Sequence, residues 1–299
     1  MESMANIIPE VLAEMDPANG TPPAPESPPF KLLWPRREDL VDEIARHWYR
    51  QGSTPKAITE DLVRRHSDWR NATPEELTKL VAEAEEVVKQ ARQQQVQQRL
   101  EELDEAIGPR YRNATMDNYH VQHDGQQAVV DAIRDYGKNI VERINAGVGV
   151  VLNGPSGVGK DHLLVCLARH AIRAGATVSW KNGQTLLGTF RDRFSERHPV
   201  PESELIDQFA AAHVLVLSDP VPPKGELSDY SESILYRIVD ARYIMMRPTW
   251  CSMNVSGPEE ADRRLGAPIV DRLRHGALCL SCDWPSYRVA GTWSNDKPQ

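Results

Sequence analysis

The sequence predicts an α/β fold: a mainly parallel sheet flanked by helices, preceded by a small all-helical domain and a proline-rich N-terminal tail. Three observations carry this reading. Residues 148–161 read VGVVLNGPSGVGKD, an apolar run followed by G-x-x-x-x-G-K, the pattern of a phosphate-binding loop between a buried strand and a helix. After about residue 110, apolar runs of strand length alternate with helical patterns, as in parallel sheets covered on both faces. Before that point, helical periodicity stands alone.

Taken in order, residues 1–30 contain Pro9, Pro17, Pro22, Pro23, Pro25, Pro28 and Pro29 and few large apolar groups. Such a segment cannot bury enough surface to offset its ordering entropy, so it reads as a disordered tail. Residues 31–108 read as a helical domain with a linker helix. One helix runs from about Arg37 to Arg50, with Leu40, Val41, Ile44 and Trp48 on one stripe, and a second starts near Thr54-Pro55. A third opens at Thr73-Pro74-Glu75-Glu76, where Thr caps, Pro takes the first helical position and Glu completes a capping box. Its continuation is long, Gln-rich and charged, and Gly108-Pro109 stops it.

The third unit spans 109–294. Val148–Leu152 reads as a buried strand and His162–Ala174 as the helix after the loop. Ala176–Trp180 is a strand and Gln184–Arg197 a helix. His213–Leu217 is a third apolar run, Ser231–Met245 is helical and Pro248–Met253 is strand-like. Ligands of such sheets bind at the carboxyl ends of the strands, where the loop and Ser218-Asp219 both fall.

Bulk properties narrow the classes. The chain has 299 residues, 40% hydrophobic and 26% charged, with a net charge of −8. It is long enough for one full core plus a smaller unit. The charge excludes a globally basic nucleic-acid protein but leaves room for a local basic groove. No apolar run approaches the roughly 20 residues needed to cross a bilayer, and MESMANIIPEVLAEMDP lacks signal-peptide character, so a cytoplasmic protein is expected. Cys279-Leu-Ser-Cys282 has metal-ligand spacing but no second pair nearby. A buried strand with two small side chains is the preferred reading, and no zinc is assigned.

The loop supplies chemistry. Backbone N–H groups across Gly154, Pro155, Ser156, Gly157, Val158, Gly159 and Lys160 would wrap phosphates, and Lys160 would neutralise the β and γ groups. The next position ordinarily carries a Ser or Thr hydroxyl for Mg²⁺; here it is Asp161. The strand HVLVLSDP occupies the Walker B place, whose usual ending is two acids. Here the first position is Ser218 and the second Asp219. One hydroxyl and one carboxylate are thus kept with their places exchanged, and hard Mg²⁺ accepts oxygen from either side. Asp161, Ser218 and Asp219 are therefore candidate metal ligands, with ATP and Mg²⁺ the expected cofactors. The other reading is two independent losses that leave a weak or inactive ATPase.

The order of blocks resembles the DnaC-type replicative helicase loaders and the IstB-type transposition helpers, both AAA+ ATPases. Met116-Asp-Asn-Tyr119-His-Val, then Gly125-Gln126-Gln127, precedes the loop, which continues GKDHLLVCLARHAIRAG. IVDARY (238–243), RPTWCSMN (247–254), LGAPIVDRL (265–273) and Asp283-Trp-Pro-Ser-Tyr-Arg288 follow. The resemblance covers roughly residues 111–290. It implies an AAA+ P-loop NTPase domain in which Asn254 is sensor 1, close to the γ-phosphate and attacking water. Arg272 would be an arginine finger reaching a neighbouring subunit, which requires a homo-oligomer, and Arg288 a sensor 2-like group on its own nucleotide. Asp161, Ser218 and Pro268 depart from the family pattern and bear on hydrolysis more than on binding.

The resemblance also implies partners. Residues 31–108 take the place of the loaders' helicase-binding domain, with Trp48 and Trp69 as anchors or as that domain's own core. The region 184–198 takes the place of an element lining a single-stranded DNA path. Its Arg191, Arg193 and Arg197 could track phosphates and its Phe190 and Phe194 stack on bases, or it could be a solvated helix face. Three functions follow: a helicase loader in DNA replication, an IstB-like ATPase assisting transposition, and a nucleotide-gated adaptor with little hydrolysis. The appended N-terminal helices and the WPSYR ending favour the first.

Overall fold

A computed structural model describes residues 74–193 and 200–288. The N-terminal tail, the first two expected helices, Trp48, Trp69, Phe194 and Arg197 lie outside these residues. The chain divides into two compact units, Met1–Gln98 and Arg99–Gln299. Helix α1 (Pro74–Ile107) runs through that boundary. Its C-terminal part belongs to the second unit, where Asp104 pairs with Arg169 at 2.6 Å and Arg99 donates to the Gly175 carbonyl at 2.9 Å.

The second unit continues with α2 (Asp124–Lys138), α3 (Ile140–Asn145), β1 (Val150–Asn153), α4 (Lys160–Arg173), β2 (Val178–Asn182) and α5 (Gly183–Asp192). It ends with α6 (Glu202–Ala211), β3 (Val214–Ser218), α7 (Asp229–Ile244), β4 (Thr249–Met253), α8 (Pro258–Leu265), α9 (Ala267–Arg274) and β5 (Leu278–Ser281). The five strands form one sheet in the order β2-β3-β4-β1-β5, and every neighbouring pair is parallel. The expected parallel sheet is thus present. Most element ends lie within two residues of the sequence expectation, because hydrogen bonding rather than hydrophobicity sets them; the exception is α5, which closes at Asp192 rather than Arg197. Helix α6 was not foreseen; it follows HPVP, which reads as a breaker. No helix among the described residues is long and apolar enough to cross a membrane.

The two faces of the sheet follow the strand period of two. Leu215 and Leu217 of β3 and Cys251 and Met253 of β4 point into a core shared with α5, α6, α7 and α9. Val214, Val216 and Ser218 therefore face the other way, as do Trp250 and Ser252. That second face is covered by α4, behind which lies α2. There Trp250 Nε1 donates to the Tyr136 hydroxyl at 3.2 Å, and Tyr136 in turn donates to the Val148 carbonyl at 2.5 Å. Polar strand residues on this face thus come to rest under the first turn of α4.

β5 departs from expectation. Among the described residues it pairs only with β1, and alternate residues are open. Cys279 is accordingly exposed, while Cys282, just beyond the strand, is buried. The pair does not share one buried strand, because an edge strand has an uncovered side.

A buried arginine fixes the strand starts at the other end. Arg242 on α7 is wholly inaccessible and meets no carboxylate among the described residues; it donates to the carbonyls of Phe209, Ala210, Ala212, His213 and Pro248 and to Thr249 Oγ1. It thereby ties the end of α6 and the starts of β3 and β4 to α7. Burial pulls its pKa down to about 9, so it is cationic at neutral pH.

Candidate functional site

The site is built at the carboxyl ends of β1, β3 and β4. Gly154, Gly157 and Gly159 all have positive φ, at 140°, 85° and 91°, so the loop between β1 and α4 depends on residues without a Cβ. Close neighbours add to this need. A Cβ on Gly157 would lie 2.0 Å from Ser286 Oγ, and one on Gly159 2.7 Å from Tyr119 Cε2.

The segment 283–288 clamps this loop from outside. Trp284 Nε1 donates to the Val158 carbonyl at 2.9 Å, and the Tyr287 amide to the Gly157 carbonyl at 2.9 Å. Tyr119 reaches the same Val158 carbonyl at 3.2 Å and meets the Tyr287 ring edge-on. The Asn-Tyr block before α2 and the WPSYR block at the end of the sheet, 165 residues apart, therefore grip one loop.

Inside the loop, Lys160 Nζ donates to the carbonyls of Gly154 and Pro155, both at 2.7 Å, and to Asn254 Oδ1 at 2.8 Å. Asn254 Nδ2 donates in turn to Asp219 Oδ2 at 2.6 Å. The expected sensor residue is therefore joined to both the loop lysine and the Walker B acid. Burial pulls the Lys160 ammonium below its usual pKa, opposed by Cys282, Asp161 and Asp219. Burial raises the Asp219 carboxyl above the usual range, opposed by the Asn254 hydrogen bonds. Asp219 also adopts the left-handed region at φ 48°, and its Oδ1 is buried without a hydrogen-bond partner.

Asp161 and Ser218 meet. Ser218 Oγ donates to Asp161 Oδ2 at 3.0 Å. A third member, which the sequence reading missed, completes the group: Ser252 Oγ donates to Asp161 Oδ1 at 2.6 Å. The parallel register explains this, since Ser218 pairs with Ser252 across β3 and β4. The two hydroxyls stand side by side on the α4 face, and Asp161, second residue of α4, lies over both.

Arg288 borders the same cleft of about 500 Å³ as Ser156, Gly157, Lys160, Asp161, Ser218, Asp219 and Asn254. It lies near Tyr111, whose hydroxyl is raised in pKa chiefly by burial, an effect Arg288 opposes. Arg110, Tyr111, Tyr119, His120 and His162 also line it. Of these, Tyr119 and His120 stand in the Asn-Tyr block and His162 in the loop block on which the resemblance rests, whereas the sequence assigns Arg110 and Tyr111 no role.

Arg272 is elsewhere. It borders a separate cavity of about 430 Å³ with Gly149, Thr249 and Gly276, at the amino ends of the strands. There it donates to Asp240 Oδ1 at 2.7 Å and the Tyr236 hydroxyl at 2.8 Å, and stacks over the Tyr236 ring. It thus stands at the opposite end of the sheet from the loop of its own chain.

The basic-aromatic helix is corrected in part. α5 ends at Asp192, and Phe190 is fully buried, its ring 5.8 Å from Phe209. It is a core residue, not a base-stacking platform. Arg193 lies 3.9 Å from Glu202, while Arg191 is exposed.

Comparison with known proteins places this arrangement. The replicative helicase loader DnaC of Buchnera aphidicola from Acyrthosiphon pisum is 29% identical over 179 residues, covering 60% of this chain and 70% of that protein. An ATP-binding protein of insertion sequence IS21 from Pseudomonas aeruginosa is 29% identical over 145 residues, covering 47% and 52%. The crystal structure of the DnaC helicase loader superposes with a TM-score of 0.52 at 24% identity, covering 58% of this chain and 99% of that one, a likeness of fold. Residues 56–293 match the family described as IstB-like ATP binding protein, and the chain belongs to that family.

Proposed function

We propose that this chain is an ATP-dependent loader of a replicative DNA helicase, acting in the cytoplasm during the initiation of DNA replication. The observation that carries its nucleotide part is the convergence of Lys160, Asp161, Ser218, Asp219, Asn254 and Arg288 on one cleft at the strand ends. ATP would be wrapped by the loop, with Lys160 and Arg288 facing its phosphates. The donors fit Mg²⁺: they are all oxygens, which a hard cation prefers, and one is the unpartnered Asp219 Oδ1. Asp161, Ser218 and Asp219 would hold the ion, which when bound neutralises phosphate charge. Asp219 and Asn254 would orient an attacking water, giving ADP and phosphate at a rate lowered by the departures at positions 161 and 218.

Arg272 would serve a neighbouring subunit of a homo-oligomer; its distance from the loop of its own chain supports action in trans. Residues 31–108 would contact the helicase, and Arg191 with its neighbours would follow single-stranded DNA. The loader relatives support the role in replication. A second reading, an IstB-like ATPase assisting transposition, is favoured by the IS21 relative, over a shorter span. Co-elution with the replicative helicase of the same cell, with and without ATP, tests the first. Nucleotide-dependent co-elution is expected; capture of a transposase–DNA complex instead would favour the second.

A further inference from the structure

The C-terminal end of α7 breaks the pattern of a wetted surface. Tyr243, Ile244, Met245 and Met246 follow one another there, and Ile244 and Met246 are 69% and 60% exposed. Single exposed apolar side chains need no explanation, but a run of four large ones marks a surface that something covers. The run is held firmly. The Met246 amide donates to the Tyr243 carbonyl at 3.1 Å and the Arg247 amide to the Arg242 carbonyl at 2.9 Å, and a Cβ on Gly147 would lie 2.9 Å from the Met246 carbonyl oxygen. Tyr243, Ile244 and Met246 line the same cavity as Arg272, together with Arg247 and His275, and no carboxylate among the described residues lines it. Arg272 gives three of its N–H groups to Asp240, Pro268 and Tyr236. A guanidinium has five. One N–H on each terminal nitrogen therefore remains without an acceptor among the described residues, a pair suited to two oxygens of one phosphate.

We propose that Tyr243–Met246 and Arg272 form one half of a head-to-tail contact between two copies of this chain, whose other half is the rim of the nucleotide cleft around Val121. The cleft of its own chain lies at the opposite end of the sheet from Arg272, so a phosphate for its two spare N–H groups comes from another copy. The proposal rests on the reading of Arg272 given above and adds the surface that brings it there. Whatever flanks Arg272 then meets what flanks the cleft. Val121 stands there, 40% exposed, directly after Tyr119 and His120, which line the cleft. An apolar run on one copy and an apolar side chain on the other would exclude water from around the phosphate contact, as the surroundings of a hot spot do. Because the two surfaces differ, the contact is heterologous: each copy offers one of each, and copies can add in series.

The test is sedimentation velocity of the full chain over a range of concentrations, with and without ATP, for wild type, Ile244→Glu, Ile244→Lys, Val121→Glu and Val121→Lys. All four substitutions fall on exposed side chains, so the fold should persist, and thermal denaturation checks it. Wild type is expected to assemble in ATP, and each variant alone to stay monomeric, its dissociation constant raised about 30-fold or more. Lysine should act like glutamate, because either charge disturbs a contact that buries apolar surface. An equimolar mixture of Ile244→Glu and Val121→Glu keeps one intact junction and should give dimers and nothing larger. A mixture that stays monomeric, or Val121→Glu that assembles as wild type does, overturns the proposal; in the second case the patch meets a different surface. Ile244→Glu that assembles as wild type but no longer co-elutes with the helicase overturns it too, and makes the helicase the occupant. Wild type that stays monomeric overturns the contact and the oligomer reading together, whereas assembled wild type with undisturbed variants overturns the contact alone. Calorimetric ATP binding by the same samples reads the nucleotide site independently of both.

Discussion

Replacing Arg242 by methionine tests how the strand starts are held. The side chain is fully buried and donates to five carbonyls and one hydroxyl. Removing it does not orphan all of them. Ala210 O keeps Arg247 Nη1 at 2.8 Å, and Pro248 O keeps the Leu215 amide at 3.4 Å. Phe209, Ala212 and His213 each lose the guanidinium donor. A buried acceptor left without a donor costs about 1–3 kcal/mol, so three cost about 3–9 kcal/mol. Against this, methionine is easier to bury, and the several kcal/mol spent desolvating the cation are recovered. The net loss should be about 3 kcal/mol. In a unit of this size that lowers Tm by about 6–12 °C. Arg242→Lys keeps the charge but has only three donors, so it should fall between the two. Thermal and urea denaturation followed by circular dichroism measure the effect. ATP affinity should hold well below Tm, because Arg242 acts at the amino ends of the strands. A methionine variant as stable as wild type would show that the carbonyls have other partners and that Arg242 does not organise this junction.

Three further outcomes are expected. Lys160→Ala should lose most ATP affinity by calorimetry with the fold intact, since it removes the loop's only side-chain cation. Arg272→Ala should bind ATP normally but lose oligomer-dependent hydrolysis by a factor of about 10³–10⁵; mixing it with Lys160→Ala subunits should restore part of the phosphate release. Asp219→Asn should raise the neutral-pH melting temperature while weakening hydrolysis. Burial lifts the folded-state pKa of Asp219 above its unfolded value. Stability therefore falls as pH rises from the unfolded pKa through the folded one, and the loss persists above it. Melts near pH 4 and pH 7 should converge in the asparagine variant more than in wild type.

The sequence made some of this legible for physical reasons. A phosphate loop is a local object: its glycines and lysine are contiguous, so Gly154 to Lys160 could be assigned without tertiary information. The same holds for β3, whose unbroken apolar run ends at Ser218. Ser252 was hidden because its role depends on register. It stands in an apolar strand, and only the pairing of Ser218 with Ser252 brings it to Asp161. Phe190 misled because an aromatic among arginines looks like a nucleic-acid face, and its burial depends on Phe209 from α6, a helix that the prolines before it disguised. The partners of Arg272, Asp240 and Tyr236, sit on α7 more than 30 residues earlier, and only the packing of α9 against α7 joins them.

The measurement that bears most directly on the exchanged site is a double-mutant cycle on Mg²⁺-ATP affinity with Asp161→Thr and Ser218→Asp. The first change alone leaves hydroxyls at both positions. The second alone places two carboxylates across a 3.0 Å contact that now joins a hydroxyl to a carboxylate. Each should weaken binding, and the double variant, which rebuilds the ordinary order, should recover it with a coupling energy of about 1 kcal/mol or more. Additive losses would contradict the account: positions 161 and 218 would then not serve one metal, and the departures would be those of a degenerate ATPase.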